Sequence, residues 1–124
     1  PHLLRTAGNI VNVASVNGMR GSAHVVPYAT AKAGLIHMTR SMAMEYMHQP
    51  IRINVIVPGF MDTPIVNGIS FPDGMDHDLT ARFHNLRPAS NPAEVAGFIL
   101  YLASDQAPST HGACLPIHCG TSVG

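Results

Sequence analysis

I-R-I-N-V-I-V-P-G, residues 51–59, decides the fold. Ile51, Ile53, Val55 and Val57 alternate with Arg52, Asn54 and Ile56, which has the period of a strand and predicts one strongly apolar face. Pro58 and Gly59 end it, because proline withdraws a ladder donor and glycine admits a turn. Upstream, N-I-V-N-V-A at 9–14 is short, rich in β-branched residues and bounded by Gly8 and the polar stretch from Ser15. It reads as a buried strand with Ser15 at its C-terminal end. Asn17, Gly18, Gly21 and Ser22 mark a loop, and Pro27 is placed to open a helix from its first turn. That helix is expected from about Tyr28 to His48, with Pro50 stopping it. Its first half carries the small residues Ala29, Ala31, Ala33 and Gly34, which permit close backbone approach to a neighbour. Its second half carries Met38, Met42, Met44 and Met47, read as adaptable core packing with some facing another subunit.

Downstream of the strand, residues 61–90 are interrupted by Pro64, Gly68, Pro72, Gly74 and Pro88, around the apolar residues Phe71, Met75 and Phe83. An irregular segment of this length in a compact domain is usually functional, and it reads as a substrate lid. Asn91-Pro92-Ala93-Glu94 then offers an N-cap, a proline in the first turn and a glutamate three residues on. Val95, Phe98, Ile99 and Leu102 follow on one helical face, expected to pack on a sheet. Ala113–Ile117 is a last strand, which Pro116 confines to an edge or a strand end. Strand, helix, strand, lid, helix, strand is α/β order, with parallel strands joined by right-handed crossovers.

Composition narrows the function. The chain has 124 residues, 46% apolar and 11% charged, enough for one well-buried globular unit. Seven basic and seven acidic residues cancel, so neither nucleic acid nor an anionic membrane is indicated as a partner, and small neutral ligands fit better. No apolar run approaches the ~20 residues that span a bilayer and no signal peptide opens the sequence, so a cytoplasmic location is expected. Cys114 and Cys119 have no second pair and make neither a zinc site nor a disulfide framework. The eight histidines are scattered without H-x-x-x-H or H-E-x-x-H spacing, and no metal is expected.

Chemistry concentrates in Ser15, Tyr28 and Lys32. Tyr28 and Lys32 are one helical turn apart, so phenol and ammonium share a face. A phenol holds its proton at neutral pH and becomes an acid-base catalyst only where a neighbouring cation stabilises the phenolate. Read alone, Tyr-x-x-x-Lys also fits a partly buried tyrosine beside a solvated lysine. Its company decides: V-A-S-V-N-G at 13–18, Tyr28-Ala29-Thr30-Ala31-Lys32 and R-I-N-V-I-V-P-G at 52–59, in this order and spacing, resemble the short-chain dehydrogenase/reductase family.

The resemblance implies a partial Rossmann-like, doubly wound parallel sheet made of three C-terminal strands with flanking helices. It implies an oxidoreductase that interconverts a secondary alcohol and a ketone with NAD or NADP. Tyr28 would be the general acid-base, Lys32 would stabilise its phenolate and hold the nicotinamide ribose, and Ser15 would hydrogen-bond the substrate oxygen. Pro58, Gly59, Met61 and Thr63 would form the turn that holds the nicotinamide carboxamide, although Thr63-Pro64 fits a plain turn initiator equally well. A homo-oligomer is implied for the full-length form. In the tail, His118 and Cys119 stand where the family usually has an acidic residue and a glycine, which bears on subunit contacts.

Against this, no two glycines are spaced as G-x-G, and there is no P-loop. Residues 1–124 are therefore expected to be the C-terminal half of a single NAD(P)-binding domain, with the pyrophosphate cradle and the family's supporting asparagine lying upstream. The alternative is a catalytically silent, truncated relative that acts through subunit association. A serine hydrolase built on Ser15 lacks the G-x-S-x-G elbow, and Cys119 as a nucleophile lacks a histidine placed by spacing.

Overall fold

Six of the seven residues from Arg52 to Pro58 are buried, and this strand is the centre of the molecule. The computed structural model describes residues 1–70, 72–81 and 87–123. Among them the elements run α1 (His2–Arg5), β1 (Asn9–Val13), a 3₁₀ turn (Val16–Gly18), α2 (Val26–Glu45), β2 (Arg52–Pro58), α3 (Pro64–Asn67), α4 (His77–Ala81), α5 (Pro92–Ala103) and β3 (Cys114–Ile117). The sheet has the order β1-β2-β3 and both pairings are parallel, with Val13 opposite Ile56 and Ile56 opposite Leu115. This is the expected α/β architecture of three parallel strands with flanking helices.

The expectation of a single apolar face on β2 is corrected. Val55 and Val57 pack with Ala14, Val16 and Ile36 on the α2 side, whereas Ile56 packs with Val95 and Leu102 on the α5 side. Helices cover both faces, so the strand needs no polar side, as is usual for parallel sheets. Asn54, expected on a polar face, is completely buried. Its amide donates to the Thr110 carbonyl at 2.8 Å and accepts from the Ala113 N–H at 3.0 Å, tying β2 to the segment that enters β3. Asn54→Ala strands both backbone groups in the interior, and chemical denaturation is expected to show a loss of about 2 kcal/mol. A midpoint equal to wild type would show that the two bonds contribute nothing.

Helix α2 begins two residues before Tyr28 and ends at Glu45, short of His48. Pro27 sits in the first turn as expected. The early end has a local cause: the Tyr46 N–H closes on Met42 and Met44 carbonyls, and the Gln49 N–H closes on Tyr46 in a turn leading to Pro50. The methionines are corrected too. Met38, Met44 and Met47 are exposed, and only Met42 packs against the core, because the buried stripe of the helix is Ile36, Thr39 and Ala43. Thr39 is polar yet fully buried; it accepts from the Asn12 amide at 2.8 Å and donates to the Leu35 carbonyl at 2.7 Å.

The capping box at Asn91 and Glu94 is present, and α5 packs through Val95, Ile99 and Leu102. Phe98, expected on the same face, is exposed. At the other end of α5, Arg52 donates to the Leu102 and Ser104 carbonyls at 2.7 and 2.9 Å, and the Asn9 amide donates to the Ala103 carbonyl at 2.8 Å. These three donors satisfy carbonyls that a helix end leaves open.

Residues 61–90 are not wholly irregular, since α3 and α4 lie inside them. A bridge between Met61 and Ser90 brings the two ends of the segment together. Phe71 and Phe83 lie outside the described residues. Among the described residues strand β3 pairs with β2 alone and places Pro116 at a sheet edge, which suits its missing N–H. Strand β1 likewise pairs only with β2 among the described residues. An open parallel edge invites pairing with another chain, so residues 1–124 expressed alone are expected to self-associate. A monodisperse monomer in size-exclusion chromatography would overturn that expectation. No helix among the described residues is long and apolar enough to cross a membrane.

Candidate active site

Parallel strands put the C-terminal ends of β1 and β2 on one edge of the sheet, the edge where ligands of open α/β sheets bind. Ser15 follows β1 there and Pro58 and Gly59 close β2 there. Ser15 is buried, and its Oγ accepts from the Asn17 N–H at 3.3 Å, capping the 3₁₀ turn. It therefore does cap a turn, while its own hydroxyl proton has no acceptor among the described residues. Asn17 is fixed in turn, its Oδ1 accepting from the Ser22 hydroxyl at 3.1 Å.

The turn after Ser15 is pressed onto α2. A side chain on Gly18 would lie 2.7 Å from both the Lys32 carbonyl carbon and the Ala33 nitrogen, closer than real contacts permit. Glycine is required for this approach, which seats the Ser15 turn on the stretch of helix that carries Lys32. Lys32 Nζ donates to the Val13 carbonyl at 3.0 Å and stands 5.7 Å from the Tyr28 ring centroid. The ammonium is thus held between the end of β1 and the tyrosine ring, at a separation where a cation and a π face attract. Tyr28 is 46% exposed, and its hydroxyl makes no hydrogen bond among the described residues. The structure brings Tyr28 and Lys32 together and packs the turn beginning at Ser15 against the same helix.

The turn after β2 is built differently. A side chain on Gly59 would meet His118 Cβ at 2.6 Å, and the Gly59 N–H donates to the Ile117 carbonyl at 2.9 Å. The space saved by this glycine is filled by protein, so packing alone already requires it. Met61 is held by the bridge to Ser90. Thr63 stands at the N-terminus of α3, but its hydroxyl makes no cap bond and is only half-buried. No hydrogen bond joins Thr63 to Tyr28 or Lys32.

The fit to a nicotinamide dinucleotide can be judged from these donors. An ammonium has three N–H bonds, and Lys32 commits one to Val13, leaving two for ribose hydroxyls. The unpartnered Tyr28 hydroxyl and the half-buried Thr63 hydroxyl face no competing partner. These groups suit the nicotinamide-ribose end. For the pyrophosphate end the chain has no G-x-G turn.

Sequence reasoning missed three histidine environments. His24, four residues before Tyr28, has a φ of 62° and lines a cleft of about 560 Å³ with Val25, Ile69, Ser70, Asp73 and Met75. The one available signal was its distance from Tyr28. His118 is buried, with Nε2 2.7 Å from the Ser122 hydroxyl and Nδ1 unpartnered. His111 is structural: Nδ1 accepts from the Ile53 N–H at 3.2 Å, which leaves Nε2 to donate to the Ala43 carbonyl at 2.8 Å and so tie α2 to β2. Among the described residues no three His, Cys, Asp or Glu side chains are grouped to hold a metal ion.

A family model described as enoyl-(acyl carrier protein) reductase matches residues 1–122. The chain belongs to the short-chain dehydrogenase/reductase family. Over 123 residues this dehydrogenase/reductase chain is 37% identical to meso-2,3-butanediol dehydrogenase of Serratia marcescens, covering 99% of the chain and 48% of the relative. It is 40% identical over 114 residues to cis-4-hydroxycyclohexanecarboxylate dehydrogenase of Sinomonas cyclohexanicum, covering 92% of the chain and 45% of the relative. A solved structure of 4-hydroxyisoleucine dehydrogenase complexed with NADH matches with a TM-score of 0.79 and 31% identity, covering 99% of this chain and 51% of that one. The chain spans about half the length of the curated relatives it matches.

Proposed function

We propose that residues 1–124 are the C-terminal half of a single NAD(P)-binding domain in an oxidoreductase that interconverts a secondary alcohol and a ketone. The observation that carries this reading is the Lys32 ammonium held between the Val13 carbonyl and the Tyr28 ring, beside a turn that delivers Ser15. Bound NAD or NADP supplies the acceptor or donor of hydride. Tyr28 Oη takes the proton of the substrate alcohol, or returns it to the carbonyl oxygen, and Lys32 stabilises the phenolate in between. The Ser15 hydroxyl donates to the same oxygen and keeps it near Tyr28. Lys32 also holds the nicotinamide ribose, while the Pro58-Gly59 turn, the Met61 backbone and the Thr63 hydroxyl hold the carboxamide. Residues 61–90 act as a lid whose ends are joined by the Met61–Ser90 bridge. The pyrophosphate is held by residues outside this chain, the working site is cytoplasmic, and the full-length form is a homo-oligomer.

The test is a spectrophotometric assay of the full-length protein with secondary alcohols and each nicotinamide cofactor, alongside direct titration with NADH. Turnover of at least one secondary alcohol, lost in a Ser15→Ala, Tyr28→Phe double variant, is the expected result. A second reading is favoured by the exposed Met38 and Met44 of α2 and the exposed Met47 just after it: a catalytically silent relative that acts through subunit association. Failure of the full-length protein to bind NADH, with an oligomer intact in sedimentation, would select it.

A further inference from the structure

The closing end of the 61–90 segment is fastened in two ways. Its backbone meets the chain beyond β2, where the Ser90 N–H donates to the Phe60 carbonyl and the Asp62 N–H to the Ser90 carbonyl, each at 3.2 Å. Its side chain meets the tail: the Ser90 hydroxyl lies 3.1 Å from the Cys119 sulfur, and either group can donate. Ser90 is 3% exposed, and among the described residues this is the only hydrogen bond its hydroxyl makes. Loss of the thiol strands a buried hydroxyl, which the segment end can hydrate only by moving.

The tail is itself anchored. The Gly59 N–H donates to the Ile117 carbonyl at 2.9 Å, and Gly59 packs so closely that an added Cβ would lie 2.6 Å from His118 Cβ. Further along, Arg20 Nη1, from the loop after Ser15, donates to the Thr121 carbonyl at 2.8 Å. Residues 117–121 therefore touch the turn after β2, the loop after Ser15 and the end of the 61–90 segment. Cys119 keeps its place with a φ of 49°, a left-handed backbone that costs a side-chain-bearing residue free energy and glycine none.

We propose that Cys119 is a positioning residue: its thiol fixes the closing end of the 61–90 segment, through Ser90, to the tail that also braces the Gly59 turn. The inference rests on the dehydrogenase reading above, in which that segment is the lid and that turn holds the nicotinamide. Lid and cofactor turn then share one support, so the lid end is already placed when substrate arrives and less binding energy is lost in ordering it. Cys119 acts through Ser90 and takes no part in proton or hydride transfer.

Variants of the full-length protein test this: Cys119→Gly, Cys119→Ser, Ser90→Ala and the double variant Cys119→Gly, Ser90→Ala. Cys119→Gly removes the thiol and relieves the left-handed backbone at once, so its thermal midpoint should stay near that of wild type. Its KM for a secondary alcohol should rise about 3- to 10-fold, the worth of one hydrogen bond, while kcat shifts by less than about 2-fold. General loss of structure lowers kcat instead, through the active fraction. Ser90→Ala should match Cys119→Gly, the double variant should be no worse than either, and Cys119→Ser, which keeps a hydrogen-bonding group, should recover most of the KM. Without substrate, the Asp62 and Ser90 amides should exchange hydrogen faster in Cys119→Gly than in wild type. A wild-type KM in Cys119→Gly, single effects that add in the double variant, a serine variant no better than the glycine one, or unaltered amide exchange each overturn the positioning role and leave the dehydrogenase reading standing. Oxidation of no secondary alcohol by the wild-type protein with either cofactor overturns that reading and the role with it.

Discussion

Tyr28→Phe in the full-length protein is expected to lower kcat by about 10²–10⁴ while NADH affinity stays near that of wild type. The size follows from removing the one hydroxyl in this arrangement that can both give and take a proton beside a fixed ammonium. The selectivity follows from what remains: the Phe ring still presents a π face 5.7 Å from Lys32 Nζ in the wild-type geometry, and the Val13 carbonyl still anchors the lysine. Lys32→Ala gives the contrast: under the proposed mechanism it removes both the phenolate's partner and two donors for the ribose, so kcat should fall and the KM for cofactor should rise. Stopped-flow measurement of hydride transfer in Tyr28→Phe separates the chemical step from product release. A Tyr28→Phe enzyme with unchanged kcat would remove Tyr28 from the mechanism.

Gly18→Val is expected to cost about 3 kcal/mol of stability or more, and activity with it. The atoms a Cβ would strike are backbone atoms of Lys32 and Ala33, in the interior of a 20-residue helix that cannot yield. Relief must come from the Ser15 turn, which would lift away from α2 and carry Ser15 from the neighbourhood of Tyr28. Thermal unfolding gives the stability loss. Gly34→Val serves as the control, because a Cβ at Gly34 meets nothing within 4 Å. A Gly18→Val protein as stable as the Gly34→Val protein would mean that the contact between turn and helix yields without cost.

Much of this was legible in the sequence, and the limits have physical causes. The order of elements followed from local signals: β-branched runs at 9–14 and 51–57, Pro27 opening α2, and the Asn91 capping box, all of which act within a few residues. What burial decides was harder to read. Alternation in 51–57 pointed to one apolar face, yet Asn54 is as buried as Val55, because its amide finds Thr110 and Ala113 some 56 and 59 residues away. No local pattern announces such partners. The methionines at 38, 42, 44 and 47 were read as core packing with some facing another subunit, yet only Met42 reaches the core, since a helix on a sheet buries a narrow stripe and Ile36, Thr39 and Ala43 already fill it. Tyr28 and Lys32 were legible because one helical turn fixes their relation. The cleft at His24 was not, because its two walls are more than 40 residues apart in the chain.

The contact between Lys32 and Val13 has a consequence for binding thermodynamics. A free lysine side chain carries up to about 2 kcal/mol of rotamer entropy, which a ligand must normally suppress when it recruits the ammonium. Here the last carbonyl of a β-strand has already suppressed it during folding. Whatever binds beside Tyr28 meets a charge whose position is preorganised, so more of the attraction between that charge and the ligand appears as affinity.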